Sequence, residues 1–193
     1  MPRIKLSDEL KEAIASLPDK EKNKYLFRLI AKESLLVDQL TYRLLENSET
    51  QVERREALRE TIQEKIRERS TNLRSPNYLT RDLRRLSGAI TRHLRTTKDT
   101  YGEVELNFCM LNYSFELMGA RLQQYTPNRT KRMDSYVVKR AKKLLVLLSK
   151  MHPDYRLDFD QDLKDLQQYM EEQDNMMEVA RILDFDVEEL TRG

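Results

Sequence analysis

The sequence has one cysteine, four glycines and five prolines in 193 residues. Each scarcity excludes something. A single cysteine, Cys109, closes no intrachain disulfide and supplies no multi-cysteine zinc site. It fits a reducing compartment. So few glycines and prolines cannot punctuate many short strands, and they favour long helices joined by brief loops. No stretch approaches the ~18 uninterrupted apolar residues of a membrane span. The first residues, MPRIKLSDELKEAIASL, lack an apolar run of signal-peptide length. A soluble cytoplasmic protein is expected.

The usual catalytic signatures are missing as well. There is no Walker glycine loop, no G-x-G-x-x-G, no H-E-x-x-H and no G-x-S-x-G. A di-iron bundle wants Glu three residues before a ligating His. The residues three before His93 and His152 are Ile90 and Ser149. No cofactor and no metal site are implied, and an enzyme is disfavoured. The run RLDFDQDL alternates Asp158, Asp160 and Asp162 as a calcium loop would. Such a loop needs Gly at its sixth position and Glu at its twelfth, and here those are Leu163 and Tyr169. A helix start is expected instead, with Asp158 as cap and Gln161 completing a capping box. Asp186 with Glu189 repeats the device.

What is present is helical periodicity. The length suits one domain over 1–193, all-α, with about seven or eight helices in an irregular bundle or a short helical array. Ser7 and Ser75 are expected N-caps. Leu26, Leu29, Ile30, Leu36, Val37, Leu40 and Leu44 recur at helical spacing, with a break near Glu33–Ser34. Leu58, Ile62 and Ile66 form a narrow stripe on a charged helix from about 49 to 73. The segment 104–122 is apolar on nearly every side, so it is expected at the centre.

The net charge of +2 hides a block structure. Residues 54–95 carry 12 basic and 5 acidic side chains. Residues 128–153 carry 8 and 1, and residues 154–193 carry 4 and 13. In SPNYLTRDLRRLSGAITRHLRTT, Leu83, Leu86, Ile90 and Leu94 fall within about 60° of Leu79 on a helical wheel. Arg81, Arg84, Arg85, Arg92 and Arg95 fall at about 140–240°, with Gly88 inside their stripe. A glycine there costs roughly 1 kcal/mol against alanine, and close approach of a backbone or ligand is one reason to keep it. Arg132, Lys139, Lys143 and Lys150 line up on a second basic helix. Arginine forks suit carboxylates and phosphates.

Two readings of the basic faces follow. In one they bind. In the other they are solvated, or paired with acids of neighbouring helices, as charged helix faces commonly are. If they bind, an acidic partner protein comes first, with the chain's own acidic end as a possible cover. Nucleic acid, held through its phosphates, is the alternative. A polar stripe of Glu105, Asn112 and Glu116 on the central helix is a third candidate. It is either an acid/base pair or a set of carboxylates neutralised by Arg or Lys of a neighbouring helix. The expected function is a non-enzymatic interaction or scaffold protein.

Overall fold

The computed structural model describes residues 4–46 and 49–192. Packing divides the chain into two compact units, Met1–Glu46 and Asn47–Gly193. The described residues form ten α-helices and one 3-10 helix, with no strand. The all-α expectation holds. The count exceeds seven or eight because the acidic end breaks into more pieces than its periodicity shows.

The first unit contains α1 (Asp8–Ala15), α2 (Asp19–Ile30) and α3 (Ser34–Leu45). Ser7 caps α1 by accepting from the Leu10 N–H. Pro18 stands just before α2, where its missing N–H costs no helical bond. The break near Glu33 is real, and Glu33 is the residue before α3. Asn47 and Ser48 lie outside the described residues.

The second unit contains α4 (Glu49–Thr71), α5 (Pro76–Thr97), α6 (Thr100–Leu122), α7 (Pro127–Leu148), α8 (Pro153–Asp158), α9 (Asp160–Glu171) and α10 (Asp174–Ile182). The 3-10 helix Val187–Leu190 ends it. Ser75 caps α5 through the Asn77 N–H, and Pro76 takes the first helical position. α6 lies at the centre, touching α4, α5, α7 and α9. Helices distant in sequence therefore meet on α6, which makes this unit a bundle and not a linear array in which repeats touch only their neighbours. Leu106, Phe108, Met110, Leu111 and Leu122 of α6 are fully buried. Ile62 and Ile66 of α4 and the Leu79–Ile90 face of α5 pack on them.

The helix α6 starts four residues earlier than the apolar pattern suggests. Asp99 is its cap, accepting from the Gly102 N–H. The turn into it passes through Lys98, at φ 62°. The acidic end also differs from expectation. Pro153 opens α8, His152 caps it, and Asp158 is its last residue. Asp158 is therefore no N-cap. Phe159 separates α8 from α9 and makes no side-chain cap bond, while Asp160 and Asp162 occupy the first turn of α9, as expected. Asp186 does cap, accepting from the Glu188 N–H.

Candidate functional site: a groove between α5 and α7

α5 and α7 are neighbours. Tyr136 of α7 donates its hydroxyl to the Leu83 carbonyl of α5 at 3.1 Å. Arg140 donates to Ser87 Oγ and to Tyr136 Oη, and its guanidinium lies 5.4 Å from the Tyr136 ring centre. These bonds join the two basic segments on one side of the second unit. Between them lies a groove of about 780 Å³. Its walls are Arg84 and Thr91 of α5, and Lys131, Arg132, Ser135, Tyr136, Lys139, Arg140 and Lys143 of α7. Six of these nine are cations and none is an acid. Of the candidates from sequence, Arg84, Arg132, Lys139 and Lys143 are thus brought together. Lys131, Tyr136 and Arg140 were missed, because the groove takes in a wider face of α7 than a single line of spaced residues.

The arginine stripe of α5 is divided by its neighbours. Advancing ~100° per residue, Arg84 sits near 140° and Arg81 and Arg85 near 200–240°. That difference sends Arg84 toward α7, and Arg81 and Arg85 toward α4. The latter two line a separate cleft of about 670 Å³ with Lys65, Glu68, Arg69, Asn72 and Asp82. This cleft carries both signs. Arg69 is ion-paired with Asp82, and Arg69 and Arg81 both lie over the Tyr78 ring. Arg92 and Arg95 are exposed further along α5 and line neither cavity. Gly88 is exposed, and a Cβ added to it would meet nothing within 4 Å. No backbone among the described residues approaches it, so approach by a neighbouring helix does not account for that glycine.

Within the groove, the cations differ in freedom. Lys143 reaches down to Glu103, a carboxylate only 4% exposed, at 2.6 Å. Arg140 is held by Ser87. Among the described residues, Arg84, Arg132 and Lys139 meet no carboxylate, and all three are exposed. The acidic end does not cover the groove. It packs on the other sides of α6 and α7 through Leu163, Leu166, Met176 and Val179. Lys142 of α7 takes the Leu183 and Asp184 carbonyls there, at 2.6 and 2.8 Å.

The polar stripe of α6 runs along the seam between α4 and α9. Glu105 pairs with Arg55 at 3.0 Å and with Arg59. Asn112 donates to the Asp162 carbonyl at 3.0 Å. Glu116 is exposed, so the stripe is not uniformly buried. It lies on the same face as Glu105, but its end of the seam is open to water. Cys109, between them, has its thiol pushed up to about 11 by burial. Glu105 is thus charge-paired, as one of the two readings of the stripe expected.

The most enclosed ionic cluster lies elsewhere, at the start of α6. Asp99 accepts from the Gly102 N–H at 2.8 Å, meets His93 Nε2 at 3.2 Å and lies 3.5 Å from Arg55. Burial works to raise the Asp99 carboxyl. The hydrogen bonds from His93 and Gly102 and the Arg55 charge outweigh it and hold the group below its ordinary value. Asp134 of α7 is the opposite case. It is 1% exposed, its Oδ2 has no hydrogen-bond partner among the described residues, and burial pushes its carboxyl up.

Compared with family models, with curated proteins and with solved structures, the chain matches none. The functional reading therefore rests on this geometry alone. No helix of the described residues is long and apolar enough to cross a membrane.

Proposed function

We propose that this protein is a non-enzymatic interaction module that docks an acidic protein segment in the groove between α5 and α7. The observation that carries the reading is a groove wall with six cations and no acid. Three of those cations, Arg84, Arg132 and Lys139, are exposed and have no carboxylate partner among the described residues. Like charges gathered in a concave surface raise the local potential and draw in a partner of opposite sign. From Lys131 to Lys143 the wall runs ~18 Å along α7, at 1.5 Å per residue. An extended segment of about five or six residues spans that length at ~3.3 Å each.

The groove favours carboxylates over nucleic acid on one point. Single-strand binders offer aromatic faces on which bases stack. The one aromatic ring here, Tyr136, is overlaid by Arg140 and tied to Leu83 through its hydroxyl.

The test is fluorescence anisotropy with a labelled Asp/Glu-rich peptide. A serine-rich peptide, an RNA and a duplex DNA are run beside it at low and moderate salt. Wild type is compared with Arg84→Glu/Arg132→Glu/Lys139→Glu, with circular dichroism confirming both folds. Lys143 is left intact because it neutralises the buried Glu103. The expected result is acidic-peptide binding that weakens with salt and disappears in the variant. Binding of RNA or DNA without the peptide would replace this reading with phosphate recognition. Peptide binding that survives the reversal would refute the groove.

A further inference from the structure

α5 packs on α7 along one flank and on α4 along the other. The groove lies on the first side and the cleft on the second, with the exposed crest of α5 between them. In the cleft, Arg69 is taken by Asp82 and Lys65 by Glu68. Both acids of the cleft wall are thereby matched. Arg81 and Arg85 remain, exposed and with no carboxylate among the described residues. The surplus charge of the cleft is therefore positive. It comes from the same helix that supplies Arg84 to the groove.

Gly88 stands on the crest between the two hollows. Taking ~100° per residue from Leu79, it lies near 180°, with Arg84 near 140° on the groove side and Arg85 near 240° on the cleft side. A helical side chain leans toward the N-terminus and covers the surface of the preceding turn. At position 88 it would cover the crest between Arg84 and Arg85. Glycine leaves that spot bare: Gly88 is exposed, and an added Cβ would meet nothing within 4 Å. A mid-helix glycine lowers helix stability, and no packing among the described residues requires this one. It provides a low pass across α5 between two sets of unmatched cations.

We propose that one continuous acidic segment of a partner protein fills both hollows, crossing α5 over Gly88 between an acidic cluster in the groove and a second one in the cleft. This rests on the reading of the groove as an acidic-segment site, and adds the length and charge pattern of that segment. The groove takes about five or six extended residues. The crest of a helix ~10–12 Å across takes ~3–4 more. The cleft runs ~10 Å along α4 from Lys65 to Asn72 and takes about three. The segment is therefore ~11–13 residues long, acidic at both ends, with small uncharged residues where it crosses the crest.

Anisotropy titrations with three labelled peptides test the proposal. The first has six acidic residues. The second adds a four-residue Gly-Ser spacer and three more acids. The third has the same length, with serine in place of the last three acids. The second is expected to bind wild type ~2–30-fold more tightly than the first, as two further exposed ion contacts would give. The third is expected to match the first. Arg81→Gln/Arg85→Gln is expected to remove the gain and to leave binding of the six-residue peptide. Gly88→Gln, with open space for its side chain, is expected to keep its fold by circular dichroism and to cut the gain as well. General attraction of a more acidic peptide to a basic surface would not depend on position 88. A gain that survives either variant would overturn the crossing. Equal binding of the first two peptides would also overturn it, and would leave the groove as a site for the short segment alone. If the six-residue peptide binds no better than a serine-rich one, the groove itself falls and this inference with it. A single-stranded RNA that binds in place of the peptides, with the same dependence on Arg81, Arg85 and Gly88, would give the path to a phosphate backbone and overturn it too.

Discussion

Alanine at Gly102 and alanine at Gly88 are expected to move stability in opposite directions, although each adds one methyl group. At Gly102 the new Cβ would overlap the Asp99 carboxylate, standing 2.6 Å from Asp99 Cγ and 2.7 Å from Arg55 Cδ. Asp99 cannot swing aside cheaply, since His93, Arg55 and the Gly102 N–H all hold it. Overpacking of this kind costs about 1–3 kcal/mol. Loss of the Asp99 cap adds ~0.5–2 kcal/mol. The gain in helix propensity returns no more than about 1 kcal/mol. The net expectation is a loss of ~0.5–4 kcal/mol, at roughly 2–4 °C in Tm per kcal/mol for a domain of this size. At Gly88 nothing lies within 4 Å, so only the propensity gain remains, up to about 1 kcal/mol. The assay is thermal and urea unfolding followed by circular dichroism, with a two-state fit checked by a second probe. A third variant sharpens it. In an Asp99→Ala background the Gly102→Ala penalty is expected to shrink, because the two positions share a partner. Equal shifts of the same sign at Gly88 and Gly102 would refute the reasoning. So would a full Gly102→Ala penalty in the absence of the Asp99 carboxylate.

Asp99 and Asp134 are expected to give pH effects of opposite sign. Asp99 is depressed, so its contribution is present above the unfolded value and is lost as pH falls through the folded one. Asp134 is raised, so stability falls as pH climbs from the ordinary carboxylate value through the raised one. Urea unfolding across that range should show Asp134→Asn flattening the decline, and Asp99→Asn destabilising most at neutral pH. An unchanged slope in Asp134→Asn would refute the assignment. Cys109 is expected to resist thiol reagents at pH 8. A thiol near 11 instead of 9 holds ~100-fold less thiolate. Reaction timed with and without denaturant checks this, and equal rates would contradict it.

The helices were legible in the sequence because their signals are local. Ser7, Ser75 and Asp186 cap where a short polar side chain precedes a helical run. The face of Leu79, Leu83, Leu86 and Ile90 is buried as its spacing required. The acidic end was harder to divide, since Asp158, Asp160 and Asp162 all look like caps. The start of α6 was misjudged for a related reason. Its first turn, Thr100–Glu103, is polar and joins the helix through the Asp99 cluster, which no apolar pattern reveals.

By itself, the sequence determined the helical class, the apolar faces and the block distribution of charge, since each depends only on neighbours along the chain. The spacing of Arg84, Arg132, Lys139 and Lys143 was also visible there. That they face one another was decided only by the packing of α5 on α7, which joins positions about fifty residues apart. The same packing divided the arginine stripe, turning Arg84 to one groove and Arg81 and Arg85 to another. It also chose which carboxylates are buried: Asp99, Glu103 and Asp134, not Glu116. Helical spacing places a residue on a face, and only the neighbouring helices determine whether that face meets water, a counter-charge or the core.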